Sequence, residues 1–217
     1  MLFKMGQESV LKKQIGILGG TFNPVHIGHL ILAQDAIKAF ELSEILFLPC
    51  DQPPHKAATS LIPAKQRMAM LKIALRGNPD FKICDIEVRR GGTNYTVDTV
   101  RELTRLYPDH ELVFLIGSDT LHELCQWKNI DELLSLCRFA TIARPGFELN
   151  ALTENDLKLD PPWPGRLLKN VLTGRQTDIS SSDIRHRIAK GMDIRHLVPS
   201  GVETYIARHK LYAKVQQ

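Results

Sequence analysis

Residues 19–29, which read GGTFNPVHIGH, decide the fold of this 217-residue chain. A short apolar run, 14–18, precedes them, and the stretch 27–40 after them has apolar residues at helical spacing. The order is therefore strand, glycine turn, helix. The two glycines allow main-chain amides to approach an anion closely, and the helix starting near Gly28 points the positive end of its dipole at the same place. The segment predicts a phosphate site at the carboxyl end of the first strand.

The remainder of the chain continues the alternation of strands and helices. Further strands are predicted at 45–48, 81–86, 112–116 and 139–143, and further helices at 64–75, 96–106, 130–136, 184–189 and 202–210. The loop 49–63 and the Pro- and Gly-containing stretch 144–164 are predicted to be irregular. This alternation predicts an α/β fold with a doubly wound parallel sheet, whose ligands bind at the carboxyl ends of the strands.

Length and composition predict one globular domain, 14–217, with a small C-terminal helical part and an N-terminal extension, 1–13. The net charge of +4 suits an anionic small molecule as well as it suits nucleic acid. The sequence contains no interleaved aromatic and basic residues of the kind that bind single strands, so nucleic acid is the less favoured partner. Four cysteines far apart in sequence predict reduced thiols and not a disulfide framework or metal cluster. With no apolar run of membrane-spanning length and no signal peptide, we expect a soluble, cytoplasmic protein without a membrane partner.

The two histidines of the opening segment lie three residues apart at the start of the predicted helix. His26 and His29 can therefore share one face and reach the same phosphate group. The segment contains neither the GxxxxGK[ST] of P-loop ATPases nor the GxGxxG of dinucleotide-binding dehydrogenases, so neither class is favoured.

At these residues the chain resembles the HxGH-containing nucleotidyltransferases and, among them, the bacterial nicotinate mononucleotide adenylyltransferases. Further matching pieces are Pro53-Pro54-His55-Lys56, EVRRGGTNYTVDT at 87–99, Gly117-Ser118-Asp119, Trp127, Arg144-Pro145-Gly146 and ISSSDIR at 179–185. The resemblance implies a Rossmann-like fold and transfer of the adenylyl group of ATP to nicotinate mononucleotide, with release of pyrophosphate, in NAD biosynthesis.

The resemblance also implies which residues contact ATP. His26, His29 and Arg185 are expected to be catalytic, and the residues expected to bind ATP are Gly19, Gly20, Thr21, Phe22, His26, His29, Gly117, Asp119, Ser180, Ser181, Ser182 and Arg185. Because the acceptor is already a phosphate anion, the reaction needs hydrogen-bond donors around the α-phosphate and no Ser or Cys nucleophile. We expect Mg²⁺ to accompany the triphosphate, held mainly by phosphate oxygens and water and not by a protein metal site.

For the mononucleotide, the resemblance implies a second group of residues: His55, Lys56, Tyr95, Thr96, Trp127, Lys128 and Arg144. His55 and Lys56 are expected at its phosphate, and the Trp127 indole is expected to stack on the pyridine ring. Main-chain amides near Thr96 and Lys128 are expected to bind the nicotinate carboxylate and to discriminate against the amide.

Three residues depart from the family pattern, and two other functions are consistent with the sequence. Asn23 stands where Asp is usual, Gly92 where Pro is common, and Lys128 where an aromatic residue often follows the tryptophan. A sister transferase acting on another phosphate acceptor, such as phosphopantetheine, would have the same fold. A nucleotide- or RNA-binding regulator without catalysis is the third hypothesis, although it leaves the HxGH segment and Arg185 without a role.

Overall fold

A six-stranded sheet, with the strands in the order β3-β2-β1-β4-β5-β6, forms the centre of the molecule. The computed structural model describes residues 12–52, 61–144, 152–173, 175 and 177–213. The strands are β1 Lys13–Gly20, β2 Leu42–Pro49, β3 Phe81–Ile83, β4 His110–Gly117, β5 Arg138–Ile142 and β6 Val171–Leu172. All neighbouring strands pair in parallel. This confirms the predicted α/β fold with a parallel sheet.

Helices cover both faces of the sheet. They are α1 Ile27–Ala39, α2 Ala64–Ala74, α3 Ile86–Arg90, α4 Thr96–Leu106, α5 Ile130–Leu136, α6 Trp163–Lys169, α7 Ser181–Ala189 and α8 Ser200–Arg208, with 3-10 helices at Ser118–Gln126 and Glu154–Leu157. Among the described residues, no helix is long and apolar enough to cross a membrane. None of the four cysteines, all of which lie in the described ranges, forms a disulfide bond.

Two hydrophobic layers lie on opposite faces of the sheet. One joins Leu18 and Phe47 of the strands to residues of α1, α2, α7 and α8. The other joins Ile17 and Phe114 to residues of α3, α4, α5 and α6. Side chains of a strand point alternately to the two faces, so Ile17 and its neighbour Leu18 enter different layers. The sheet is therefore doubly wound, as the alternation of elements predicts.

The structure differs from the sequence prediction in three places. The predicted strand 81–86 ends at Ile83, and Ile86 begins the short helix α3. Part of the stretch predicted to be irregular forms the 3-10 helix Glu154–Leu157, and α6 begins within it at Trp163. The two-residue strand β6 has no sequence signal of its own, because it exists only by pairing with β5.

The strand order reverses between β1 and β4. From β1 the chain proceeds outward to β2 and β3, and then crosses to β4 on the other side of β1. This is the order of the Rossmann fold, in which the connections diverge at the carboxyl ends of the two central strands and leave a crevice for a ligand. Gly20 ends β1 and Gly117 ends β4, so both predicted glycine segments lie at that crevice.

Candidate active site

The loop between β1 and α1 forms the first wall of the crevice. Phe22 has a positive φ of 46° and a buried ring, 1% exposed, that packs edge-on against the His29 ring at 5.1 Å between centroids. The Phe22 ring also contacts Phe47 of β2. Any contact of Phe22 with ATP is therefore made by its main chain, because its side chain is buried against His29 and Phe47.

His26 and His29 form one stacked pair at the N-terminus of α1. Their ring centroids are 3.6 Å apart, and the main-chain N–H of His26 donates to His29 Nδ1 at 3.2 Å. Since Nδ1 of the neutral His29 ring accepts this bond, its proton resides on Nε2. The first helical turn thus fixes both the orientation and the tautomer of His29.

Both histidines are uncharged at neutral pH. Burial, and then the charge of Arg144, lower the pKa of His26 from 6.5 to about 4. Burial, His26 and Arg144, in that order, hold the pKa of His29 well below 6.5. The site therefore presents neutral imidazole donors.

Gly28 is required by the packing around the histidines. A Cβ at this position would lie 3.0 Å from His26 Nδ1 and 3.0 Å from Thr177 Oγ1. The glycine of the HxGH pattern therefore leaves space in which the His26 ring and the segment before α7 approach α1. Thr177 was not predicted from the sequence, because no pattern indicated that its segment crosses the start of α1.

The N-terminus of α7 docks onto the same loop. Ser181 Oγ donates to the Pro24 carbonyl at 2.8 Å, and Arg185 Nη1 donates to the Asn23 carbonyl at 2.9 Å. Arg185 Nη2 donates to Ser182 Oγ at 3.2 Å. Ser180 caps the helix, its hydroxyl accepting from the main-chain N–H of Asp183 at 3.1 Å. The N-termini of α1 and α7, predicted from distant parts of the sequence, thus converge on one loop.

Asn23 accepts a hydrogen bond from the C-terminal part of the chain. The Tyr212 hydroxyl donates to Asn23 Oδ1 at 2.8 Å, and burial raises the pKa of Tyr212. An Asn supplies this carbonyl oxygen without placing a charge beside a buried phenol. Tyr212 follows the last helix, and nothing in its local sequence indicates this contact.

The second wall of the crevice follows β4 and β5. Arg144 Nε lies 3.2 Å from Asp119 Oδ1, and the main-chain N–H of Arg144 donates to the buried Ser118 Oγ at 3.0 Å. A Cβ on Gly117 would clash with Asp119 Oδ1 and lie 2.6 Å from Arg144 Nε. Because the Arg144 charge acts on both histidines, this guanidinium belongs to the wall that faces them.

The residues predicted for the pyridine ring lie around the N-terminus of α4. Lys128 Nζ is 4.2 Å from the centroid of the Tyr95 ring and 3.2 Å from Asp98 Oδ2. Thr96 is the first residue of α4, and Tyr95, which is 40% exposed, precedes it. Trp127 is partly buried, with its ring edge-on to Phe114 at 6.1 Å. Tyr95, Lys128 and the first turn of α4 therefore lie together, while His55 and Lys56 lie outside the described residues.

The segment 87–99 folds into this wall through a buried polar network. Thr99 Oγ1 donates to Glu87 Oε1 at 2.8 Å, and Arg90 Nη1 donates to Asn94 Oδ1 at 2.8 Å. The Asn94 amide nitrogen in turn donates to the Glu87, Gly91 and Gly92 carbonyls, at 3.3, 3.4 and 3.1 Å. Burial raises the pKa of Glu87. These side chains therefore shape the turn before Tyr95.

The fold and the site define a nucleotidyltransferase. Residues 17–187 match the family described as cytidylyltransferase-like, which covers most of the chain. A relative from Thermomicrobium roseum, named "Probable nicotinate-nucleotide adenylyltransferase", is 44% identical over 203 residues, which are 94% of this chain and 93% of the relative. A protein of the same name from Shouchella clausii is 44% identical over 92% of this chain and 97% of the relative. The chain therefore belongs to the nicotinate-nucleotide adenylyltransferase family.

Solved structures show the same fold at lower identity. Plasmodium falciparum nicotinic acid mononucleotide adenylyltransferase complexed with NaAD superposes with a TM-score of 0.75, at 22% identity, over 92% of this chain and 97% of that chain. A putative nicotinate-nucleotide adenylyltransferase from Vibrio parahaemolyticus has a TM-score of 0.63 at 17% identity, over 94% of this chain and 97% of that chain.

Proposed function

We propose that the protein transfers the adenylyl group of ATP to nicotinate mononucleotide, forming nicotinate adenine dinucleotide and pyrophosphate. The observation that carries this proposal is the neutral, stacked pair of His26 and His29 at the N-terminus of α1. We assign the flat ring of the acceptor to a second region, at Tyr95, Trp127 and Lys128, where the Lys128 ammonium lies 4.2 Å from the centroid of the Tyr95 ring. The histidine pair offers donors for phosphates, and the second region offers aromatic surface for the ring.

The reaction is a displacement at the α-phosphorus. A phosphate oxygen of the mononucleotide forms the new P–O bond, and the bond from the α-phosphorus to the β-phosphate oxygen breaks as pyrophosphate leaves. The attacking group is already an anion, so no side chain has to remove a proton from it. Catalysis then depends on placing two anions together and on donating hydrogen bonds to the charge that develops.

We assign the histidines and Arg185 to the triphosphate. His29 directs Nε2–H away from its internal hydrogen bond, which makes it the donor to the α-phosphate oxygens. The start of α7, with Ser180, Ser181 and Ser182, adds main-chain amides and a helix dipole. Arg185 is held by the Asn23 carbonyl and Ser182, and it adds a fixed positive charge.

Asp119 and Arg144 form the boundary between the two substrates. Their ion pair is about half exposed, so both side chains are accessible to ligands. We propose that Arg144 contacts a phosphate at the boundary and that Asp119 accepts hydrogen bonds from ribose hydroxyls. The nicotinate carboxylate is assigned to the main-chain amides near Thr96 and Lys128, where the α4 dipole favours an anion.

Mg²⁺ is proposed to enter with ATP. Within the described ranges, no group of three or more His, Cys, Asp or Glu side chains is arranged to hold a metal ion. The donors at this site are imidazole N–H groups, serines and arginines. They suit phosphate oxygens of a triphosphate whose other oxygens bind the metal ion. The ion would supply charge neutralisation of the triphosphate, while the protein residues bind and orient it.

Substitution of His29 by Ala tests this assignment. Loss of one preorganised donor to the α-phosphate should lower kcat for pyrophosphate release by about 100-fold to 1000-fold while ATP binding is retained. His209→Ala, at an exposed residue after α8, is the matched control and should keep wild-type turnover. Unchanged turnover in His29→Ala would contradict the catalytic role, and turnover with another acceptor but not with nicotinate mononucleotide would contradict the proposed substrate.

A further inference from the structure

Arg67, near the start of α2, is the largest fully buried side chain in the described part of the protein, with 1% of its surface exposed. A buried guanidinium ordinarily pairs with a carboxylate, since an uncompensated charge is costly to remove from water. Here four hydrogen bonds of Arg67 go to main-chain carbonyl oxygens, and the Cys50 side chain and the charge of the Asp51 carboxylate also act on the guanidinium. The acceptors are Ile62 at 3.1 Å, Thr21 at 2.8 Å, Cys50 at 2.7 Å and Asp51 at 2.9 Å.

These carbonyls belong to different segments of the chain. Thr21 lies in the loop between β1 and α1 that leads to the histidine pair. Cys50 and Asp51 directly follow β2, and Ile62 precedes α2. The planar guanidinium directs N–H groups to all of them at fixed angles, which a lysine ammonium on a flexible stem cannot do.

The segment Cys50–Asp51–Gln52 also bonds to both halves of the proposed active site. On the ATP side, the Cys50 N–H donates to the Gly20 carbonyl at 3.1 Å. On the acceptor side, the Gly92 N–H donates to Asp51 Oδ2 at 2.9 Å, and Gln52 pairs with Thr93 in an isolated bridge. Gly92 and Thr93 precede Tyr95 and Thr96 in the chain, so the segment after β2 is hydrogen-bonded both to the glycine turn and to the turn that leads into α4.

We propose that Arg67 is a positioning residue that fixes the ATP loop and the acceptor wall relative to each other by holding Thr21, Cys50 and Asp51 on one guanidinium. This inference rests on the proposed function, which assigns those two regions to the two substrates. Arg67 lies behind the loops and acts through them. Its loss should therefore impair alignment of the two substrates.

The main test is Arg67→Lys, with Arg76→Lys as the matched control at an exposed arginine just after the same helix. Lysine keeps the charge but cannot serve the same carbonyls, so the loops should shift. A misplacement of about 1 Å at reacting atoms can lower a rate about 100-fold, and we expect a fall in kcat/KM of this order for both substrates. Pyrophosphate release is measured with each substrate varied in turn, and thermal unfolding establishes that the variant is folded.

Asp51→Ala provides a second test that leaves Arg67 in place. It removes the carboxylate that accepts from Gly92 and whose charge acts on Arg67, but it keeps the Asp51 carbonyl that Arg67 binds. The KM for nicotinate mononucleotide should therefore rise while the KM for ATP stays at the wild-type value. Arg67→Ala with added methylguanidinium is the third test. Activity should return in part with this ion and not with methylammonium at the same ionic strength.

The two proposals fail in different ways. Absence of pyrophosphate release by the wild type with nicotinate mononucleotide would overturn the proposed function. If the wild type is active, either of two results would overturn the role of Arg67. The first is that Arg67→Lys, folded or less stable, keeps both KM values and kcat. The second is that Asp51→Ala changes the two KM values equally. If these residues had a merely structural role, the substitutions would lower the unfolding temperature without a difference between the effects of Asp51→Ala on the two KM values.

Discussion

The low pKa of His26 makes the stability of the protein depend on pH below neutrality. In the folded state this pKa is about 4, against an ordinary value of 6.5 that applies to the unfolded chain. Between these values the unfolded state binds the proton and the folded state does not, so stability is present above pH 6.5 and is lost as the pH falls. From pH 7 to pH 5 the loss attributable to His26 is about 2 kcal/mol, and its full extent is about 3 kcal/mol.

The measurement is urea unfolding of the wild type and of His26→Gln at pH 7, 6 and 5. Glutamine has no proton to bind, so the variant should lose about 2 kcal/mol less than the wild type over this range. His29 remains in both proteins and contributes in the same direction, which is why the difference between the two is the diagnostic quantity. His209→Gln, at an exposed site, should follow the wild type. Parallel pH profiles of wild type and His26→Gln would refute the buried, neutral state of His26.

Three further predictions follow from individual contacts. Gly28→Ala should lower kcat/KM by at least about tenfold, because the added Cβ displaces the His26 ring or Thr177. Unchanged steady-state kinetics would contradict this packing. Ser180→Ala should destabilise the protein by about 1 kcal/mol, measured as a fall of about 3 °C in Tm, through loss of the α7 cap. Arg144→Gln should raise the pKa of both His26 and His29 in an NMR titration, since the Arg144 charge lowers both, and unshifted titration curves would place Arg144 away from the pair.

The local elements could be predicted well where the sequence period is unambiguous. Helices α4 and α5 begin and end where their apolar spacing predicts, at Thr96–Leu106 and Ile130–Leu136. The strand order could not be predicted from local patterns. It depends on which face of the sheet each connection between consecutive strands crosses. Strand β6 and helix α3 are too short to show a period, so pairing and packing alone determine them.

The sequence predicts candidate residues for the site but not the contacts that hold them together. The HxGH segment indicates an anion site through its glycines and helix start, and the structure places Arg185 and Arg144 against the same loop and histidines. Arg67 and Tyr212 were not predicted, because each donates hydrogen bonds to acceptors far away in sequence. Arg67 donates to main-chain carbonyls, and Tyr212 donates to a side-chain oxygen. A long-range hydrogen bond leaves no trace in a single sequence, whereas a turn or a cap does.

Adenylyl transfer to nicotinate mononucleotide is tested by identifying the product formed from ATP and Mg²⁺ with this acceptor or with nicotinamide mononucleotide. Pyrophosphate release and the dinucleotide formed are measured for each acceptor at equal concentration. We expect nicotinate adenine dinucleotide as product, with a kcat/KM for the acid well above that for the amide, because the main-chain amides at the start of α4 favour a carboxylate. Equal use of the two acceptors would contradict the carboxylate site, and absence of dinucleotide from both would contradict adenylyl transfer to a pyridine mononucleotide.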